Sequence, residues 1–125
     1  MKTIINTPGA PKAIGPYSQA VRHGDLLFVS GMIALDPKTG EMAGTGIEAQ
    51  AILVLENLKA VVEAAGMGLK NVLKSTVFLK DMNDFAKFNE IYGRYFKDMP
   101  PARETVQVAR LPRDAAIEIS VICGK

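Results

Sequence analysis

Arg103 stands where a rigid segment gives way to a β-strand. In MPPARETVQVARLP, residues 99–112, Pro100 and Pro101 fix the backbone just before it. Alternation then puts Arg103, Thr105 and Gln107 on one face and Val106 and Val108 on the other. A planar guanidinium can hold a carboxylate through two parallel hydrogen bonds. It can also close a structural ion pair or stay solvated, as most arginines do. Glu118 is the second candidate, because it interrupts the apolar strand AIEISVIC, residues 116–123. A carboxylate in mid-strand costs stability unless it is paired or hydrated. It can pair with Arg103 or a lysine, or it can hold a water and take its proton.

Other polar residues fall where a small ligand could meet them. Tyr17 follows Ile14-Gly15-Pro16, and Ser30-Gly31 ends an apolar run. A glycine there lets a ligand approach the backbone closely. Tyr17 and Ser30 bound a hairpin and so fall on neighbouring strands. Asn89 lies four residues after Phe85, which places it on the buried side of its helix. Each of these has an ordinary structural explanation as well, Asn89 as a helix-to-loop hydrogen bond.

Several chemistries are not expected. One histidine, His23, and one cysteine, Cys123, cannot build the usual zinc set, an intrachain disulfide or a convincing catalytic triad. We therefore expect no disulfide and no structural metal. Gly66-Met67-Gly68 lacks the preceding strand that a phosphate-binding loop needs. A net charge of +2 is too even for nucleic acid or a membrane to be the main partner. With no apolar leader and no spanning run, a cytosolic protein is expected.

These residues need a frame. At 125 residues the chain suits one domain, 1–125. Strands are expected at 2–5, twice within 17–31 around a turn at His23-Gly24, at 71–81, and at about 103–110 and 115–123. Ile47, Ala51, Val54, Leu55, Leu58, Val62 and Ala65 recur at the period of one helical face, giving a helix over 47–65. Thr45 and Glu48 match a capping box, and Gly66 a stop. A second helix is expected over 83–98, with Phe85, Phe88, Tyr92, Tyr95 and Phe96 along one side.

The order β-β-β-α-β-α-β-β is α+β, with both helices on one face of a single sheet. Yet strand 25–31 is apolar on both faces, Leu26 and Phe28 against Leu27 and Val29. Two helices cover only one face, so a second copy of the chain is expected on the other. Arg103 is expected on that second face, away from the helices.

Four blocks carry a resemblance: AIGPYSQAV (13–21), FVSGMIALDPKTGE (28–41), AAGMGLKNVLKSTVFLKDMNDFAKFNEIY (64–92) and PPARETVQVARLPRDAAIEISVIC (100–123). Together they resemble the RidA/YjgF family of reactive intermediate deaminases, also called the endoribonuclease L-PSP or translation-inhibitor family. The resemblance implies a chorismate-mutase-like α+β fold with a mixed sheet, and a homotrimer with a central barrel and clefts between subunits. It implies cofactor-independent hydrolysis of 2-imino acids such as 2-iminobutanoate and 2-iminopropanoate, and their enamines, to 2-keto acids and ammonia. Arg103 matches the family arginine that clamps the substrate carboxylate, and Glu118 the acid that positions water. Tyr17, Ser30, Gly31 and Asn89 match cleft positions. Thr105 stands where many relatives carry cysteine, which leaves a hydroxyl and excludes thiol chemistry there. A ribonuclease or translation inhibitor, and a non-catalytic binder of small carboxylates, remain as alternatives.

Overall fold

The computed structural model describes residues 1–125. Strands β1 (Lys2–Ile5), β2 (Ala20–His23) and β3 (Leu26–Met32) precede helix α1 (Ile47–Ala64). Then come β4 (Val72–Leu79), α2 (Phe85–Tyr95), β5 (Ala102–Gln107) and β6 (Ile117–Gly124). Element order agrees with the sequence reading. The strands form one six-stranded sheet in the order β1-β2-β3-β6-β4-β5. Only β4 and β5 pair in parallel, so the sheet is mixed.

Local chemistry sets the connections. The β2–β3 hairpin turns through two residues, and Gly24 there takes φ 60°, a value that suits glycine. α1 ends at the foreseen place, with Gly66 at φ 77°. Its start differs from expectation. Gly46 is the N-cap and no side chain caps it, so Thr45 and Glu48 form no capping box. The helix begins one residue later than that motif requires, which takes Glu48 out of register with Thr45.

The core lies between the helices and one face of the sheet. From α1 come Ile47, Ala51, Val54, Leu55, Leu58 and Val62, all buried. From the sheet come Leu27, Val29, Val77, Ile117, Ile119 and Val121. Burying each large aliphatic side chain is worth about 1.5–3 kcal/mol, so this face fixes strand register. β6 shows the effect: Ile117, Ile119, Val121 and Cys123 are buried, while Glu118, Ser120 and Ile122 on the other face are only half-buried. That other face carries no helix. Ile4, Leu26, Phe28, Leu73 and Val106 are 41–52% exposed, a large apolar area for a lone chain to show water.

One expectation about β5 is overturned. Ser75 pairs with Arg103 and Val77 with Thr105, and Ser75 and Val77 are fully buried on the helix side. Arg103, Thr105 and Gln107 therefore face α2, not the open face. Glu104 and Val106 take the open side. The cause is the parallel β4–α2–β5 crossover, which puts α2 on the side of the sheet that Ser75 and Arg103 face.

Candidate active site

The polar residues collect in two places, one on each side of the sheet. The first is built around Arg103. Its guanidinium Nη1 donates to Asn89 Oδ1 at 2.8 Å, and its guanidinium carbon lies 4.8 Å from the centre of the Tyr92 ring. Asn89 is exposed rather than buried, because it sits at the edge of α2 and reaches sideways to Arg103. Gln107, on the same face of β5, accepts a hydrogen bond from the Met82 amide at 2.8 Å. The face of β5 thus ties down α2 at Asn89 and, at Met82, the turn that leads into it. Thr105 Oγ1, between them, is buried without a hydrogen-bond partner. Such a hydroxyl costs about 1–3 kcal/mol, and a bound ligand oxygen or water could satisfy it. An open cavity of about 390 Å³ beside Arg103 is lined by Asn89, Tyr92, Gly93, Phe96 and the two prolines.

The second place is built around Glu118. Glu118 pairs across the sheet with Phe78, and Phe78 with Val106, which puts its side chain on the open face. The carboxylate lies against Gly31: a methyl added at Gly31 would meet Oε2 at 2.7 Å. Tyr17, Gly31, Lys12, Arg113 and Glu118 line a common cavity of about 460 Å³. Burial pushes the Glu118 carboxyl up from its ordinary value, toward the range where a carboxylate can both take and return a proton. Ser30 Oγ donates to the Ser18 carbonyl at 2.6 Å. Its proton is therefore committed to tying the end of β3 to the segment that leads into β2, and only its lone pairs remain for a ligand.

Arg103 and Glu118 form no ion pair. They occupy opposite faces of the sheet, on strands separated by β4. Adjacent strands are about 4.8 Å apart, so a small molecule cannot touch both groups of one chain. The structure gathers Arg103, Asn89 and Thr105 into one cluster and Tyr17, Gly31 and Glu118 into another, with Ser30 beside the second.

Two contributions escaped the sequence reading. Gln19 is buried and binds four backbone groups: it accepts from Thr7 N and donates to the carbonyls of Thr7, Ala10 and Pro11. It thereby fastens the irregular segment that carries Lys12 and Tyr17. The aromatic residues of α2 were foreseen as a stripe, but not their contact with Arg103. Nothing in the α2 sequence points to that contact without the β4–β5 pairing.

This fold and these residues define a family. Residues 7–124 match the endoribonuclease L-PSP family model, and the chain belongs to that family, RidA/YjgF. It is 60% identical over 125 residues to a RutC family protein of Saccharolobus solfataricus, covering 100% of this chain and 99% of that one. It is 49% identical to Escherichia coli TdcF, named as a candidate reactive intermediate deaminase, over 98% of this chain and 96% of that one. The crystal structure of TdcF with bound serine superposes with a TM-score of 0.94, at 47% identity and 98% coverage of each chain. A RidA structure from Psychrobacter gives a TM-score of 0.95 at 44% identity, covering 98% of this chain and 99% of that one.

Proposed function

We propose that this protein is a homotrimeric deaminase that hydrolyses small 2-imino acids and their enamine tautomers, such as 2-iminobutanoate and 2-iminopropanoate, to 2-keto acids and ammonia. The observation that carries the reading is the division of Arg103 and Glu118 between opposite faces of the sheet. Each chain offers a cation for a carboxylate on one side and a carboxylate for a water on the other. Contact between neighbouring copies across the uncovered apolar face supplies the missing half. The serine bound to TdcF supports a ligand of amino-acid size with a carboxylate.

The chemistry asks little of the protein beyond placement. Arg103 of one copy holds the substrate carboxylate through its free N–H groups. Glu118 of the next orients a water toward the C=N carbon, which is already electrophilic. As the water oxygen bonds to that carbon, the C=N π electrons pass to nitrogen, and Glu118 receives the water proton. It then returns the proton to nitrogen, which gives a carbinolamine. Glu118 next relays the carbinolamine O–H proton to the same nitrogen, so that the O–H electrons form the C=O bond as the C–N bond breaks and ammonia leaves. Holding substrate and water together removes much of the entropic barrier.

To test the reading, 2-iminobutanoate is generated in situ from threonine by a dehydratase, and 2-ketobutanoate formation is followed. Wild type should accelerate the reaction and Arg103→Ala should not. No acceleration by wild type, or equal acceleration by the variant, sinks the reading. Mass in solution should be three times that of the 13.5 kDa chain.

A further inference from the structure

Arg103 is a cation without a counter-ion. The ion pairs of the chain are Lys74–Glu104, Lys80–Asp114 and Arg94–Glu90, and Arg103 belongs to none. Three rings of α2 surround it instead. Its guanidinium carbon lies 4.8 Å from the Tyr92 ring centre and 5.6 Å from those of Phe85 and Phe88. The rings also support each other, Phe88 and Tyr92 at 5.4 Å and Phe85 and Phe88 at 6.3 Å. Tyr92 is fixed from behind, its O–H donating to Ser75 Oγ at 2.9 Å in a buried contact. Ser75 is in turn the cross-strand neighbour of Arg103.

The choice of partner has a physical consequence. A carboxylate would hold Arg103 firmly but would neutralise it and compete with any anionic ligand. A ring face attracts the cation through its quadrupole and leaves the charge intact. The one side-chain hydrogen bond goes to the neutral amide of Asn89, so most of the five N–H donors of an arginine stay free. Spacing alone would put Phe85, Phe88 and Tyr92 on the core face of α2, and a packing role would need no cation. Their convergence on an unneutralised guanidinium is what packing does not explain.

We propose that Phe85, Phe88 and Tyr92 are positioning residues, an aromatic cradle that orients Arg103 toward an external carboxylate without discharging it, with Ser75 locking Tyr92. The inference rests on the reading of Arg103 as a carboxylate clamp.

Phe85 is the ring to change, because it is only partly buried while Phe88 and Tyr92 are in the core. Phe85→Leu keeps apolar bulk and removes the π face, and Phe85→Tyr restores a ring. In the ligand-free protein, NMR relaxation of Arg103 Nε–H reports how firmly the guanidinium is held. Phe85→Leu should lower that order and weaken binding of 2-ketobutanoate about two- to fivefold, the worth of one partly exposed cation–π contact. KM for 2-iminobutanoate should rise by a similar factor with kcat retained, and Phe85→Tyr should restore both. Should the leucine variant not fold, pentafluorophenylalanine at Phe85 keeps the shape and reverses the quadrupole, with the same loss expected. Unchanged Arg103 order in the variant, or a tyrosine variant as impaired as leucine, overturns the proposal. The order is read without substrate. An Arg103→Ala variant that still deaminates therefore removes the functional reading while the cradle stands or falls on the NMR alone.

Discussion

Mixing two inactive variants should give back activity, in an amount the structure fixes. Arg103→Ala removes the cation on the helix side of β5, and Glu118→Gln removes the carboxylate on the open side of β6. The two groups lie on opposite faces, so in the site we propose each working site would take its arginine from one chain and its glutamate from a neighbour. In rings formed from equal amounts of the variants, a site works only when its arginine comes from the Glu118→Gln chain and its glutamate from the Arg103→Ala chain. Random assembly meets both conditions at about one site in four. Unfolding the variants together, refolding them, and assaying 2-iminobutanoate hydrolysis should thus recover about a quarter of wild-type activity per site. Native mass spectrometry confirms that hybrids have formed. A site contained within one chain gives no recovery, so hybrids no more active than their parents would refute the two-half site.

Gly31→Ala should harm activity far more than folding. The new methyl meets Glu118 Oε2 at 2.7 Å, Cδ at 2.8 Å and Cγ at 3.2 Å, so the flexible carboxylate must swing aside. A displacement of about 1 Å costs roughly 100-fold in kcat/KM, while stability should change by less than about 1 kcal/mol. A folded variant with wild-type kcat/KM removes the role of this contact. Burial raises the Glu118 carboxyl, so the acid limb of kcat/KM should lie above the ordinary carboxylate range, and a limb at or below that range contradicts the assignment. The same shift makes the charged form costly to the fold. Glu118→Gln should therefore gain stability over wild type as pH rises past the ordinary value of 4.5, with the gain complete above the raised value. Thermal melts across that window check the sign. Cys123 is fully buried, and burial pushes its thiol up to about 11. Ellman's reagent should label it only after denaturation, and rapid labelling of native protein would show that β6 opens.

Where the sequence was legible, the cause was periodicity enforced by burial. The α1 stripe from Ile47 to Ala65 and the alternation in β6 each have one apolar face, so the core leaves a single register open to them. Gly24 and Gly66 announced their turns because few other residues take those φ values easily. Arg103 shows where such reading ends. Its alternation with Val106 was legible, but which side of the sheet it faced depended on where the β4–α2–β5 crossover puts α2. Polarity suggested the open face, whereas aromatic rings made room for a cation on the covered one. Gln19 was illegible for a related reason. Its partners lie 8–12 residues away in a segment without regular structure, and no pattern of side-chain types encodes such contacts.

The two-half site we propose would also limit the symmetry of the assembly. Each chain presents its arginine and its glutamate in different directions. One flat contact between a pair of copies related by a twofold axis cannot complete both. On that proposal the contact would run head to tail, one surface of each copy meeting a different surface of the next. Contacts of that kind either close into a ring or continue as an open filament. The smallest such ring has three members. Closure would leave no chain with an unused half of the proposed site, whereas a lone chain would carry both halves and complete neither.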